Sequence, residues 1–112
     1  MKCGRKSQAL ALIRCDDGAI RFLKKSGWKV ENDMGIDLFV YKGISTHDPN
    51  LPMWFVIEER SGLAVGRGTA KKYAIADAEE RLSRISTDEF LRQVDRSCEK
   101  LGVSPLYRAV YL

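Results

Sequence analysis

The clearest pattern in the chain begins at residue 36, where Ile36, Leu38 and Val40 interleave with Asp37, Phe39 and Tyr41. That period of two predicts a strand with one face on a core. MWFVIEE, from Met53 to Glu59, predicts a second strand, and LAV, from Leu63 to Val65, a third that runs into Gly66. ERSG is the short link between them, with Gly62 suited to positive φ. Strands that follow one another through tight links predict an antiparallel meander. Glu58 and Glu59 adjoin Arg60 at a strand end, point to opposite faces and read as solvated charges.

Upstream the spacing changes. Ala19, Ile20, Phe22 and Leu23 recur at three and four residues while Arg21, Lys24 and Lys25 take the other side. This predicts an amphipathic helix, capped by Asp16 or Asp17 and stopped by Gly27, with Trp28 closing over the core edge. ALALIR, residues 9–14, is too short for periodicity to separate a strand from a helical turn, and we assign it to helix. Residues 1–8 read as a basic, mobile lead-in.

Downstream, GRGTAKKYAIADAEERL carries Ala70, Ala74, Ala78 and Leu82 at spacings of four, which predicts a helix capped by Thr69 and running to about Ile85. Ser86 and Glu89 form a capping-box pattern for a further helix, with Phe90, Leu91, Val94, Cys98 and Leu101 on one side and Gly102 as its stop. SPLYRAVYL is open between a short strand against the sheet and an apolar surface for a partner. The resulting fold class is α+β: a three-stranded antiparallel sheet packed on one face by helices in α-β-β-β-α order, with an additional C-terminal helix.

At 112 residues and 45% apolar content the chain is a single domain, 1–112, able to bury a core. Nineteen basic against fifteen acidic residues give +4, a balance that permits a polyanionic partner. Cys3, Cys15 and Cys98 are too few and scattered for a disulfide framework or a paired-cysteine metal site, so reduced thiols and a cytoplasmic location are expected. No apolar run reaches membrane-spanning length, and the N-terminus lacks the apolar core of a secretory signal. A single histidine with no nucleophile near it argues against an enzyme. No metal and no organic cofactor are expected.

The candidate chemistry lies at the turn before the alanine-rich helix. Lys71 and Lys72 stand in its first turn, at the positive end of the helix dipole, where cations are unfavourable and anions favoured. Free backbone N–H groups, the dipole and two ammonium groups together describe a phosphate site.

The order helix, three strands, helix, with Gly66, Gly68, Lys71, Lys72 and Ala74 as a G-x-G-x-x-K-K-x-A motif, resembles the double-stranded-RNA-binding domain family over roughly residues 17 to 82. The resemblance implies a core over 17–85 with a helical extension over 86–112, duplex RNA as partner, and RNA contacts from His47, Arg67, Lys71 and Lys72. His47 lies in the turn-rich stretch from Gly43 to Pro52, the loop from which the family reaches a minor groove. Such a domain reads A-form RNA by shape and phosphates rather than by base edges. Ile75 stands where the family carries a third basic residue, and it separates two functions. One is non-catalytic binding of double-stranded RNA. The other is a protein-interaction or inhibitory module, or a homodimer, using Ile75 and the C-terminal region.

Overall fold

Two long strands occupy the segments in which a basic lead-in and helix were expected. A computed structural model describes residues 1–45 and 48–111, the side chains of residues 110 and 111 excepted. Its elements are β1 (Lys2–Arg14), β2 (Ile20–Glu31), β3 (Leu38–Ile44), β4 (Pro52–Glu58), β5 (Ala64–Gly68), α1 (Lys71–Ser83), α2 (Thr87–Leu101) and α3 (Pro105–Tyr111). The strands form one antiparallel sheet in the order β1-β2-β3-β4-β5. The chain is therefore α+β, but the three-stranded α-β-β-β-α layout is overturned by a five-stranded meander followed by helices.

The reason lies in the acidic turn. Asp16, Asp17 and Gly18 close a β-hairpin instead of capping a helix: the Gly18 N–H donates to the Cys15 carbonyl at 2.9 Å and the Cys15 N–H to the Ala19 carbonyl at 2.7 Å. Asp17 Oδ1 accepts the Ala19 N–H at 3.0 Å, and its carboxylate takes both ends of the Arg21 guanidinium at 3.1 and 2.7 Å. Asp-Gly between apolar runs is a hairpin signal. Ile20, Phe22, Trp28 and Val30 also share one parity, a period of two interrupted by Lys24 and Ser26.

The hairpin is longer than the sheet it joins. Strand β2 pairs with β1 from Ile20 to Glu31, but with β3 only over Gly27–Val30. The remaining half folds across the face of the sheet opposite α1 and α2. There Ala9 and Ala11 pack on Phe39, Tyr41 and Ile57, with Ile13 and Phe55 at the margin. Strand β3 is accordingly buried on both faces, not one: Leu38 and Val40 enter a first core with Val56, Ala74, Ala78, Leu82, Phe90 and Val94, whereas Phe39 and Tyr41 enter the second. Trp28 packs at the edge of the first core.

The two glycines of the G-x-G motif seat α1 on β5. A Cβ on Gly66 would lie 2.6 Å from the Ala78 nitrogen and 2.7 Å from the Ala74 carbonyl oxygen, and one on Gly68 2.7 Å from the Ala74 nitrogen. The helix approaches the strand backbone to a distance that only glycine allows. On α2, Ser86 Oγ accepts the Glu89 N–H at 3.1 Å, and Gly102 ends the helix with φ 89°.

The C-terminal segment is a helix rather than a strand. It is anchored by the Ser104 N–H on the Arg60 carbonyl at 2.8 Å and by the Tyr107 hydroxyl on Asp37 Oδ2 at 2.9 Å. Burial and that hydrogen bond push the Tyr107 hydroxyl up to about 12. Glu58 and Glu59 are buried, not solvated. Glu58 accepts the backbone N–H groups of Arg60 and Ser61 and the Ser61 hydroxyl, while Glu59 pairs with Lys29 at 2.6 Å. No described helix is long and apolar enough to cross a membrane.

Candidate nucleic-acid interface

Helix α1 begins without a side-chain cap. Its N-cap is Ala70, in extended geometry at φ −139° and ψ 158°, and not Thr69, and no acidic residue stands in the first turn. The orphan N–H groups of that turn therefore meet no carboxylate or hydroxyl of their own cap. The first acid along the helix, Asp77, is engaged elsewhere: its Oδ2 accepts the Arg67 backbone N–H at 2.9 Å and lies 3.1 Å from Arg81 Nε.

Lys71 does not extend freely into solvent. Its Nζ lies 4.0 Å from the centroid of the Trp28 ring and 5.8 Å from that of Trp54, and the two rings stand 6.0 Å apart at 39°. A lysine over tryptophan faces is held by the ring quadrupole. Lys72 is exposed, with Nζ 5.1 Å from the Tyr73 ring centroid.

The strand register adds two cations that the sequence reading missed. Lys6 is directly opposite Trp28 across β1 and β2, and Lys42 is directly opposite Trp54 across β3 and β4. Directly opposed residues share a face, so Lys6 and Lys42, both exposed, stand on the tryptophan side of the sheet, where Lys71 sits. The only advance sign was their parity with the tryptophans, and parity does not give register.

The sequence-predicted site residues do not all gather here. Gly66 and Gly68 face α1, so alternation turns the Arg67 side chain to the opposite face, where it stands across from Phe55. His47 lies outside the described residues. Ile75 is half-buried, packed against the first core, and lines an open groove of about 640 Å³ with Met1, Cys3 and the α1 lysines. That groove is cationic at Lys71 and Lys72 and acidic at Glu79 and Glu80. Leu106 and Tyr107 of the C-terminal region line a separate cavity beside β1, so Ile75 and these tail residues do not share one apolar patch.

Comparisons with known protein families, with curated proteins and with solved structures find no match to this chain, and the double-stranded-RNA-binding resemblance gains no support from them.

Proposed function

We propose that the protein binds double-stranded nucleic acid without catalysis, duplex RNA foremost, through phosphate contacts on the face that carries the α1 N-terminus. The observation that carries the reading is the convergence of Lys6, Lys42, Lys71 and Lys72 around an uncapped helix start. Anions are favoured at that helix end and cations are not, so lysines there gain from an anionic ligand what they lose to the dipole.

The tryptophans favour a duplex over a single strand. Single strands are held by stacking unpaired bases on open aromatic faces. Here the Lys71 ammonium lies over Trp28, so the face offers charge where a base would need a ring. Three or four phosphate contacts give a slope of log affinity against log salt of about −3.

Binding of duplex RNA, duplex DNA and single-stranded RNA, each at several salt concentrations, tests the reading. Lys71→Glu/Lys72→Glu and Lys6→Glu/Lys42→Glu are expected to abolish binding, and Arg67→Glu, on the other face, to leave it within about twofold. Movement of Lys71 toward a phosphate is also expected to change tryptophan emission on titration. Salt-insensitive binding, a preference for single strands, or charge reversals without effect would overturn the proposal, and equal affinity for the two duplexes would remove RNA as the preferred ligand.

A further inference from the structure

On the face away from the tryptophans, the outer half of the β1–β2 hairpin lies against the sheet. Ala9 and Ala11 are small enough to bring β1 down onto Phe39, Tyr41 and Ile57, and Ile13 packs at the margin of that contact, where hairpin and sheet together border open space. The result is a cleft of about 630 Å³, within the range of small-molecule sites.

Its floor is aromatic. Tyr41 and Phe55 line it and stack with centroids 5.6 Å apart, and Phe39, its centroid 6.3 Å from that of Tyr41, is fully buried behind them. The rings pack directly onto Gly43: a Cβ there would lie 2.9 Å from the Phe55 ring and 3.2 Å from that of Tyr41. Beside these rings Leu23 and Ile44 are 37% and 67% exposed, an apolar margin without a cover.

The charges around the cleft have one sign. Among the described residues, those lining it that carry charge are Arg14, Lys25 and Lys42, with no acid, and strand alternation turns the Lys42 side chain to the tryptophan face, which leaves Arg14 and Lys25 as the cations of the rim. Lys25 is directed at the floor, its Nζ 5.5 Å from the Tyr41 ring centroid. An apolar, ring-lined cleft with a cationic rim is complementary to a flat apolar body that carries a negative group. We infer that this cleft is a binding site for a small aromatic anion, its ring packed against Tyr41 and Phe55 and its acidic group held by Lys25. The site is separate from the proposed nucleic-acid face and does not depend on it.

The test uses two probes with the same aromatic body: 8-anilinonaphthalene-1-sulfonate, which is anionic, and N-phenyl-1-naphthylamine, which is neutral. Titrated into the folded chain, the anion is expected to bind at one saturable site, about tenfold more tightly than the neutral probe. Lys25→Glu is expected to weaken the anion about tenfold and leave the neutral probe within about twofold. Ala64 is exposed and lines the cleft, so Ala64→Trp fills it without opening a core and is expected to abolish binding of both probes. Lys71→Glu/Lys72→Glu is expected to change neither. Thermal melts of each variant establish that it is folded. Equal affinity for the two probes, or anion binding that survives Ala64→Trp in a folded variant, would overturn the inference.

Discussion

The Leu12 N–H donates to the Gly62 carbonyl at 2.9 Å, tying the outer hairpin to the turn between β4 and β5. Gly62 has φ +74°, and a Cβ there would lie 2.9 Å from the Leu12 nitrogen and 3.0 Å from the Leu10 carbonyl oxygen. Backbone conformation and space both demand glycine. Gly62→Ala is expected to cost about 2–3 kcal/mol in urea unfolding. Gly18→Ala is the control, because Gly18 has φ +83° with nothing within 4 Å of its added Cβ. It is expected to cost only the conformational part, about 1 kcal/mol. Equal losses at the two positions would mean that the hairpin does not seat on Gly62.

The buried pair Lys29–Glu59 makes stability depend on pH. Burial pushes the Glu59 carboxyl above its ordinary value, the Lys29 hydrogen bond and charge pull it back, and the charges of Asp37 and Glu58 push it further up. A raised folded pKa means that the folded state holds the proton more tightly than the unfolded state. The Glu59 contribution is thus fully present below the ordinary glutamate pKa and is lost as pH rises through the raised one. Lys29→Met leaves the carboxylate unpaired in a site where its side chain is 6% exposed. It is expected to cost about 3–5 kcal/mol at neutral pH, to move the upper edge of the window higher, and to recover stability as pH falls toward about 5. Urea melts across pH 5 to 8 measure this, and a loss independent of pH would place the ionised carboxylate in water.

The two predicted helix caps differ in the structure, and the difference is measurable. Ser86 caps α2, so Ser86→Ala is expected to cost about 1 kcal/mol. Thr69 is not the N-cap of α1, so Thr69→Ala is expected to cost less than about 0.5 kcal/mol. Ala70→Asp supplies the missing cap and is expected to stabilise by about 0.5–2 kcal/mol. The same carboxylate would compete with phosphates for the first-turn N–H groups, so on the proposed function Ala70→Asp raises the melting temperature and weakens duplex binding together. Stronger duplex binding in that variant would contradict a phosphate site at this helix end.

The candidate site was legible in part. Lys71 and Lys72 were visible because two lysines at a helix start run against the dipole, an anomaly that local sequence shows. Lys6 and Lys42 were not, because a strand residue acquires its neighbours from register, which depends on segments distant in the chain. Arg67 sits beside the lysines in sequence and on the other face in space. The glycines flanking it pointed to a phosphate turn, and close packing of α1 on β5 accounts for them instead.

By itself the sequence determined the elements whose signals are local: the presence of β3 and β4 as strands, the alanine spacing of α1, and the Ser86 and Gly102 boundaries of α2. Tertiary structure decided the first third of the chain. Ala19 to Leu23 fits a helical and an extended period equally well over so short a run, and the balance falls to strand because Ala9 and Ala11 bury against Phe39, Tyr41 and Ile57 only when the hairpin folds over the sheet. That burial is a contact between distant segments, as are the registers that gather the lysines on one face and open the aromatic cleft on the other.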